Sequence, residues 1–163
     1  MKTTYVRNVP QIPVDYAGTV QSARKGKPPA VQMCVPIQSS ADIQKARKKG
    51  REMAGELGFS PTDRTLIATA ISELARTIVL HAGHGELCLN TVSRLGNTGI
   101  AITVSDKGPG IRDIRSAMQE RLSSTSRGLG LGLPGVKRIM DEFEMVSKPR
   151  TGTTLIARKW KTQ

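Results

Sequence analysis

Val104 to Gly135 reads VSDKGPGIRDIRSAMQERLSSTSRGLGLGLPG, and the rest of the chain can be read outward from it. The stretch carries two glycine clusters, Asp106-Lys107-Gly108-Pro109-Gly110 and Gly128-Leu129-Gly130-Leu131-Gly132, with a short polar segment between them. The apolar run Ile100 to Val104 precedes the first cluster, so Asp106 is expected at a strand end with its acceptor oxygens facing a cleft, where a carboxylate can fix an exocyclic amine. The second cluster runs into Leu133-Pro134-Gly135-Val136-Lys137, and Pro134 suits an early helical position. Glycine lets the main chain approach a ligand closely, and unpaired amides at a helix start favour phosphate. Together these features suggest a nucleotide pocket with a lid. No Gly-Lys-Ser/Thr closes a P-loop, and no glycine fingerprint with a distant ribose acid marks a dinucleotide fold.

Upstream, Ser60-Pro61-Thr62-Asp63 combines a cap, a first-turn proline and a carboxylate at the positive end of a helix dipole. The helix it starts is expected to run to His81 or Ala82, ahead of Gly83. Ile67, Ile71, Leu74 and Ile78 follow at offsets of four, three and four, which makes one buried stripe. Glu73 and Thr77, four apart and about a quarter-turn from that stripe, can face a cleft at the edge of the core. An earlier helix, Ala41 to Leu57, has Ser39 or Ser40 as cap and Gly58 as stop, with a partial apolar stripe at Ala46, Met53 and Leu57 and a basic wet face.

Strands are expected at Val31 to Ile37, where Pro36 implies an edge or an end, and around Leu87 to Leu89. The latter leads through the turn at Arg94 to Gly99 into Ile100 to Val104 as a hairpin. Val136, Ile139, Met140 and Phe143 mark a further buried helix, and Glu144 to Ser147 and Thr153 to Lys159 two closing strands. Helices alternating with antiparallel strands give an α+β fold, a two-layer α/β sandwich with a mixed, mostly antiparallel sheet and helices on one face. Residues 1–30, with four prolines and no sustained period, read as a flexible basic extension ahead of a domain at 31–163.

The net charge of +12 raises nucleic acid as a partner, but aromatics make up only 3% of residues, so stacking platforms are scarce and the cations are spread along the chain. A solvated basic face, or one that meets an acidic protein, is the preferred reading. Cys34 and Cys88 have no CxxC or metal-ligand companion and are expected as reduced, half-buried thiols. No apolar run approaches a membrane span and no signal-peptide core is present, so the protein is expected to be cytoplasmic. His81 and His84 lack further ligands and read as closing a helix, and Trp160 reads as a packing anchor.

The series Glu73 with Thr77, then Asp106-x-Gly-x-Gly, then Gly128 to Gly132, then Gly152-Thr153-Thr154 resembles the ordered motifs of the GHKL ATPases, the family of gyrase, MutL and histidine-kinase catalytic domains. Ser72-Glu73-Leu74-Ala75-Arg76 and Gly128 to Phe143 look most like the anti-sigma-factor serine kinases, especially the RsbT-like switch kinases of bacterial stress signalling. The resemblance implies a Bergerat ATP-binding fold. It places Asp106 on the adenine amine, Gly108, Gly110 and Ile111 beside the base, Thr153 at the adenine end, and Gly128, Leu129, Gly130, Leu131 and Gly132 around the phosphates. Glu73 becomes the general base or a polarising carboxylate, with Mg2+ neutralising charge on the ATP. Members of the family carry asparagine, a Mg2+ ligand, where this chain has Thr77, whose oxygen reaches less far. Arg127 either contacts the γ-phosphate or is a solvated lid arginine. The implied partners are a STAS-domain antagonist or stressosome protein as substrate and a PP2C-type phosphatase to be activated. The alternative is a non-catalytic, nucleotide-ordered partner-switching module.

Overall fold

The computed structural model describes residues 3–6, 32–119 and 131–162. Among the described residues six strands form one sheet in the order β1-β5-β6-β4-β3-β2, and every neighbouring pair is antiparallel. In chain order the elements are β1 (Thr3–Val6), β2 (Gln32–Ile37), α1 (Ser40–Glu56), α2 (Pro61–His81), β3 (Gly85–Arg94), β4 (Asn97–Asp106), α3 (Ile114–Gln119), α4 (Gly132–Ile139), β5 (Glu142–Lys148) and β6 (Gly152–Trp160). Pro36 lies on edge strand β2, where its missing N–H disrupts no inner ladder.

Both long helices begin as their capping residues dictate. Ser39 and Asp42 form a reciprocal capping box on α1, and the Ser60 hydroxyl accepts the Asp63 N–H at 3.1 Å with Pro61 in the first turn of α2. The α2 stripe of Ile67, Ile71, Leu74 and Ile78 is at most 1% exposed. It joins the α1 residues Ile43, Ala46 and Met53 and the sheet residues Leu87, Leu89, Ile100 and Ile102 in a single core. Along β5, Phe143 and Met145 enter that core, while Glu142 and Glu144 alternate onto the opposite face of the sheet.

On that opposite face Glu142 accepts Arg94 at 2.6 and 3.2 Å, Arg158 at 3.2 Å and the Trp160 indole N–H at 2.9 Å. Arg94 also stacks 4.7 Å from the Trp160 ring centroid, so the tryptophan is anchored by packing and by a hydrogen bond. Burial pushes the Glu142 carboxyl up, but the Arg94 and Trp160 donors and the two guanidinium charges outweigh it and hold it below the ordinary carboxylate value.

Several elements differ from the sequence expectation. Phe143 belongs to β5 and not to the helix before it. That helix closes when the Met140 N–H bonds Val136 O, and Met140 itself is extended (φ −97, ψ 153). Asp141 then accepts the Trp160 N–H at 2.7 Å and Lys159 Nζ at 3.1 Å, which lays the chain against β6. The short helix α3 falls in the segment read as polar loop, and Asp113 caps it by accepting the Ser116 N–H at 3.0 Å. Cys34 and Cys88, expected as separate reduced thiols, sit at directly paired positions of β2 and β3 and are joined in a disulfide. Within the N-terminal stretch, Thr3–Val6 adds β1 to the edge of β5.

Candidate functional site

A cavity opens between α2, α4 and the end of the sheet where β4, β6 and β5 lie side by side. Leu74, Ile78, Val104, Leu133, Met145 and Leu155 make its walls largely apolar, and Thr77, His81, Asp106 and Thr153 supply its polar side chains. A largely apolar cleft with few, placed polar groups suits a flat heterocycle better than an extended polar chain.

Asp106 is the last residue of β4, and the ladder pairs it with Thr153, which pairs in turn with Ser147. Three polar residues therefore stand in one row across three strands, at the rim where apolar pairs give out. Asp106 Oδ1 accepts the Gly108 N–H at 2.8 Å, which folds the Asp-x-Gly-x-Gly loop back on its own strand while the carboxylate keeps further acceptor capacity. The loop is tied at two more points: the Ile111 N–H donates to Ser147 Oγ at 2.7 Å, and the Arg150 N–H to Pro109 O at 2.8 Å. Ser147, 1% exposed, also shares a hydrogen bond with Thr153 Oγ1 at 2.8 Å.

Two of the glycines here are required by geometry. Gly110 has φ +73, and a Cβ there would run into the Lys148 carbonyl; Gly152 has φ +122, and a Cβ would run into the Asp106 carbonyl. The backbones of the Gly-x-Gly loop and the β5–β6 turn are thus packed directly on one another, with Pro109, Gly110 and Ile111 of the loop forming the floor of the cavity.

Glu73 is outside the cavity lining, although its neighbours in space belong to it. It projects from α2 at 7% exposure, with Oε1 accepting Arg76 Nη1 at 2.6 Å and Oε2 accepting the Gly132 N–H at 3.3 Å. Gly132 opens α4 directly before the cavity residue Leu133, and Leu131 is its N-cap. The acid therefore stands at the positive end of a helix dipole, at the edge of the pocket. Thr77 does line the cavity, but its hydroxyl donates to Glu73 O at 3.0 Å, a back-bond along α2 that leaves only its lone pairs toward the pocket.

The structure thus gathers Thr77, Asp106, Gly110, Ile111 and Thr153 around one cavity, with Gly108 bonded to Asp106, and Glu73, Leu131 and Gly132 beside it. Arg127, Gly128, Leu129 and Gly130 lie outside the described residues. Ser147 and Met145 were not foreseen. Their signal is the alternation Phe143, Met145, Ser147 along β5, in which a serine takes the last inward position, beside the motif threonine.

The family model for the histidine kinase-like ATPase domain matches residues 38–159. The chain is 51% identical over 129 residues to the serine/threonine-protein kinase RsbT of Bacillus subtilis, a match that covers 79% of this chain and 96% of that protein. It is 31% identical over 97 residues to an anti-sigma F factor of a Thermoanaerobacter species, covering 58% and 68% respectively. Among solved structures, that of the RsbU and RsbW domains of a Mycobacterium tuberculosis protein aligns with TM-score 0.57 at 17% identity. That alignment covers 83% of this chain and 34% of the other, and it speaks for the fold alone.

Proposed function

Because the chain belongs to the histidine kinase-like ATPase family, and within it stands with the RsbT-type serine/threonine kinases, we propose that the cavity binds ATP for transfer of the γ-phosphate to a STAS-domain partner in a partner-switching circuit. The observation that carries this reading is the polarity of the cleft: Asp106 and Thr153 line its sheet side, and Glu73 meets the first amide of α4 at its helix side. A base needs the first arrangement, and a phosphate chain next to a reacting hydroxyl needs the second.

In this reading Asp106 accepts the exocyclic amine of adenine, with Thr153 completing that end. The loop of Gly108, Gly110 and Ile111 flanks the ring, and its ties to Ser147 and Arg150 anchor it to β5 and the turn after it. Gly128 to Gly132 receive the phosphates, and Arg127 reaches the γ-phosphate. Glu73 takes the proton of the partner's serine or threonine hydroxyl as its oxygen attacks phosphorus. A Mg2+ ion would neutralise charge on the phosphates, and Thr77 would hold it through its hydroxyl oxygen. The ATP-binding unit comprises residues 31–163, with 1–30 as a basic extension that lends the sheet one edge strand, Thr3–Val6. A PP2C-type phosphatase is a second partner and the cytoplasm the site of action; among the described residues no helix is long and apolar enough to cross a membrane.

The test is incubation with γ-labelled ATP, Mg2+ and a STAS-domain protein. Label on a serine or threonine of that protein is expected. Nucleotide binding without transfer to any STAS partner would overturn the kinase assignment and leave a nucleotide-ordered switch.

A further inference from the structure

Both carboxylate oxygens of Glu73 are engaged, and the two engagements differ in kind. Oε2 accepts the N–H of Gly132, the first residue of α4, one of the donors that a helix start leaves without an internal partner. The proposed phosphate cradle includes that same amide, so a phosphate oxygen and the Glu73 carboxylate compete for one N–H. When nucleotide wins, Oε2 is released into the space where a hydroxyl must lose its proton. Oε1 stays with Arg76, whose Nη1 lies 2.6 Å away and whose Cα is three residues further along the same helix.

Arg76 does not line the cavity, and its side chain is 37% exposed against 9% for Glu73. The pair therefore joins a partly exposed guanidinium to a nearly buried carboxylate at the edge of the site. We propose that Arg76 is a positioning residue for phosphate transfer: it holds the Glu73 carboxylate in place by Oε1 once ATP has taken the Gly132 amide away from Oε2. The inference rests on the reading of Glu73 as general base. In the step it supports, Oε2 takes the hydroxyl proton while the hydroxyl oxygen bonds to the γ-phosphorus. The bond from that phosphorus to the β,γ-bridging oxygen breaks, and ADP leaves with the electron pair. Arg76 keeps its proton and its charge throughout.

A carboxylate displaced by about 1 Å can cost a reaction up to ~10²-fold, which sets the size of the expected effect. The experiment compares Arg76→Met and Arg76→Lys, each alone and combined with Glu73→Gln, by single-turnover transfer from γ-labelled ATP to a STAS-domain partner, by calorimetric ATP affinity, and by Tm. Arg76→Met is expected to slow transfer by about 10- to 100-fold with ATP affinity and Tm unchanged. Arg76→Lys, which keeps a charged donor on the carboxylate, is expected to recover most of that loss. In the Glu73→Gln background Arg76→Met is expected to cost nothing further, because the group it positions no longer works as a base. Undiminished transfer in Arg76→Met, an equal additional loss in the Glu73→Gln background, or a loss accounted for by weaker ATP binding would each overturn the proposal. Wild-type transfer by Glu73→Gln alone would instead remove the general base, a separate failure visible in a separate arm.

Discussion

Replacing Ser147 with alanine removes one oxygen from the floor of the cavity and strands one backbone donor. The Ile111 N–H, 2.7 Å from Ser147 Oγ, belongs to the backbone of the Gly-x-Gly loop and cannot turn to another acceptor unless the loop moves. The Thr153 hydroxyl, 2.8 Å away, can rotate and so loses less. The site is 1% exposed and alanine is only slightly smaller, so the cavity term is minor and the cost is that of one buried donor left unpaired, about 1–3 kcal/mol. In a chain of this size each kcal/mol lowers Tm by roughly 2–4 °C, so a drop of about 2–12 °C is expected if the loop holds its place. If the loop instead relaxes to satisfy Ile111, ATP must order it again, and the same energy appears as weaker binding at about tenfold per 1.4 kcal/mol. Thermal denaturation with and without ATP, together with calorimetric titration of ATP, measures both shares. A Ser147→Ala protein with wild-type Tm and wild-type affinity would refute the claim that this serine ties the loop to the sheet.

Other substitutions probe other parts of the cleft. Gly110→Ala forces a left-handed residue, about 1–2 kcal/mol before any clash, and drives a methyl at the Lys148 carbonyl; calorimetry should show ATP affinity reduced by at least ~10-fold. Thr77→Asn gives up the bond to Glu73 O but presents a longer-reaching carbonyl, so transfer measured against Mg2+ concentration should saturate at lower Mg2+ or run faster, and superimposable curves would remove this position from metal binding. Glu142 has a depressed folded-state pKa, so its contribution to stability is present above its ordinary value of 4.5 and is lost as pH falls through the folded value. The Tm difference between wild type and Glu142→Gln should therefore narrow below pH 4.5, and a difference that stays constant with pH would contradict the assigned cause.

What could be read from the residues was what local chemistry decides. The Ser60-Pro61-Thr62-Asp63 start, the four-residue stripe on α2 and the punctuation around Leu95 and Gly96 each act within a turn or two of chain, and each produces its element as expected. The residues of the candidate site could be picked out for a similar reason, since Asp106 and its glycines lie within one loop and Glu73 and Thr77 four apart on one helix. Phe143 was misplaced because its spacing from Met140 continues a helical stripe, and only the pull of β6 on Asp141 ends that helix early. The pairing of Cys34 with Cys88 depends on the register of two strands separated by 54 residues, which no local pattern reports. Ser147 bonds to a partner that the fold supplies, the Ile111 amide of the loop 36 residues before it.

Whether one cleft binds at Asp106 and reacts at Glu73 is decided by ATP affinity and single-turnover transfer measured in Asp106→Asn and Glu73→Gln side by side. In Asp106→Asn an acceptor for the adenine amine is replaced by an amide that can present a donor, so affinity should collapse and transfer fail with it. Glu73→Gln should bind ATP with much of the wild-type affinity yet transfer about 10²- to 10⁴-fold more slowly. Wild-type affinity in a folded Asp106→Asn protein, or wild-type transfer by Glu73→Gln, would contradict the account.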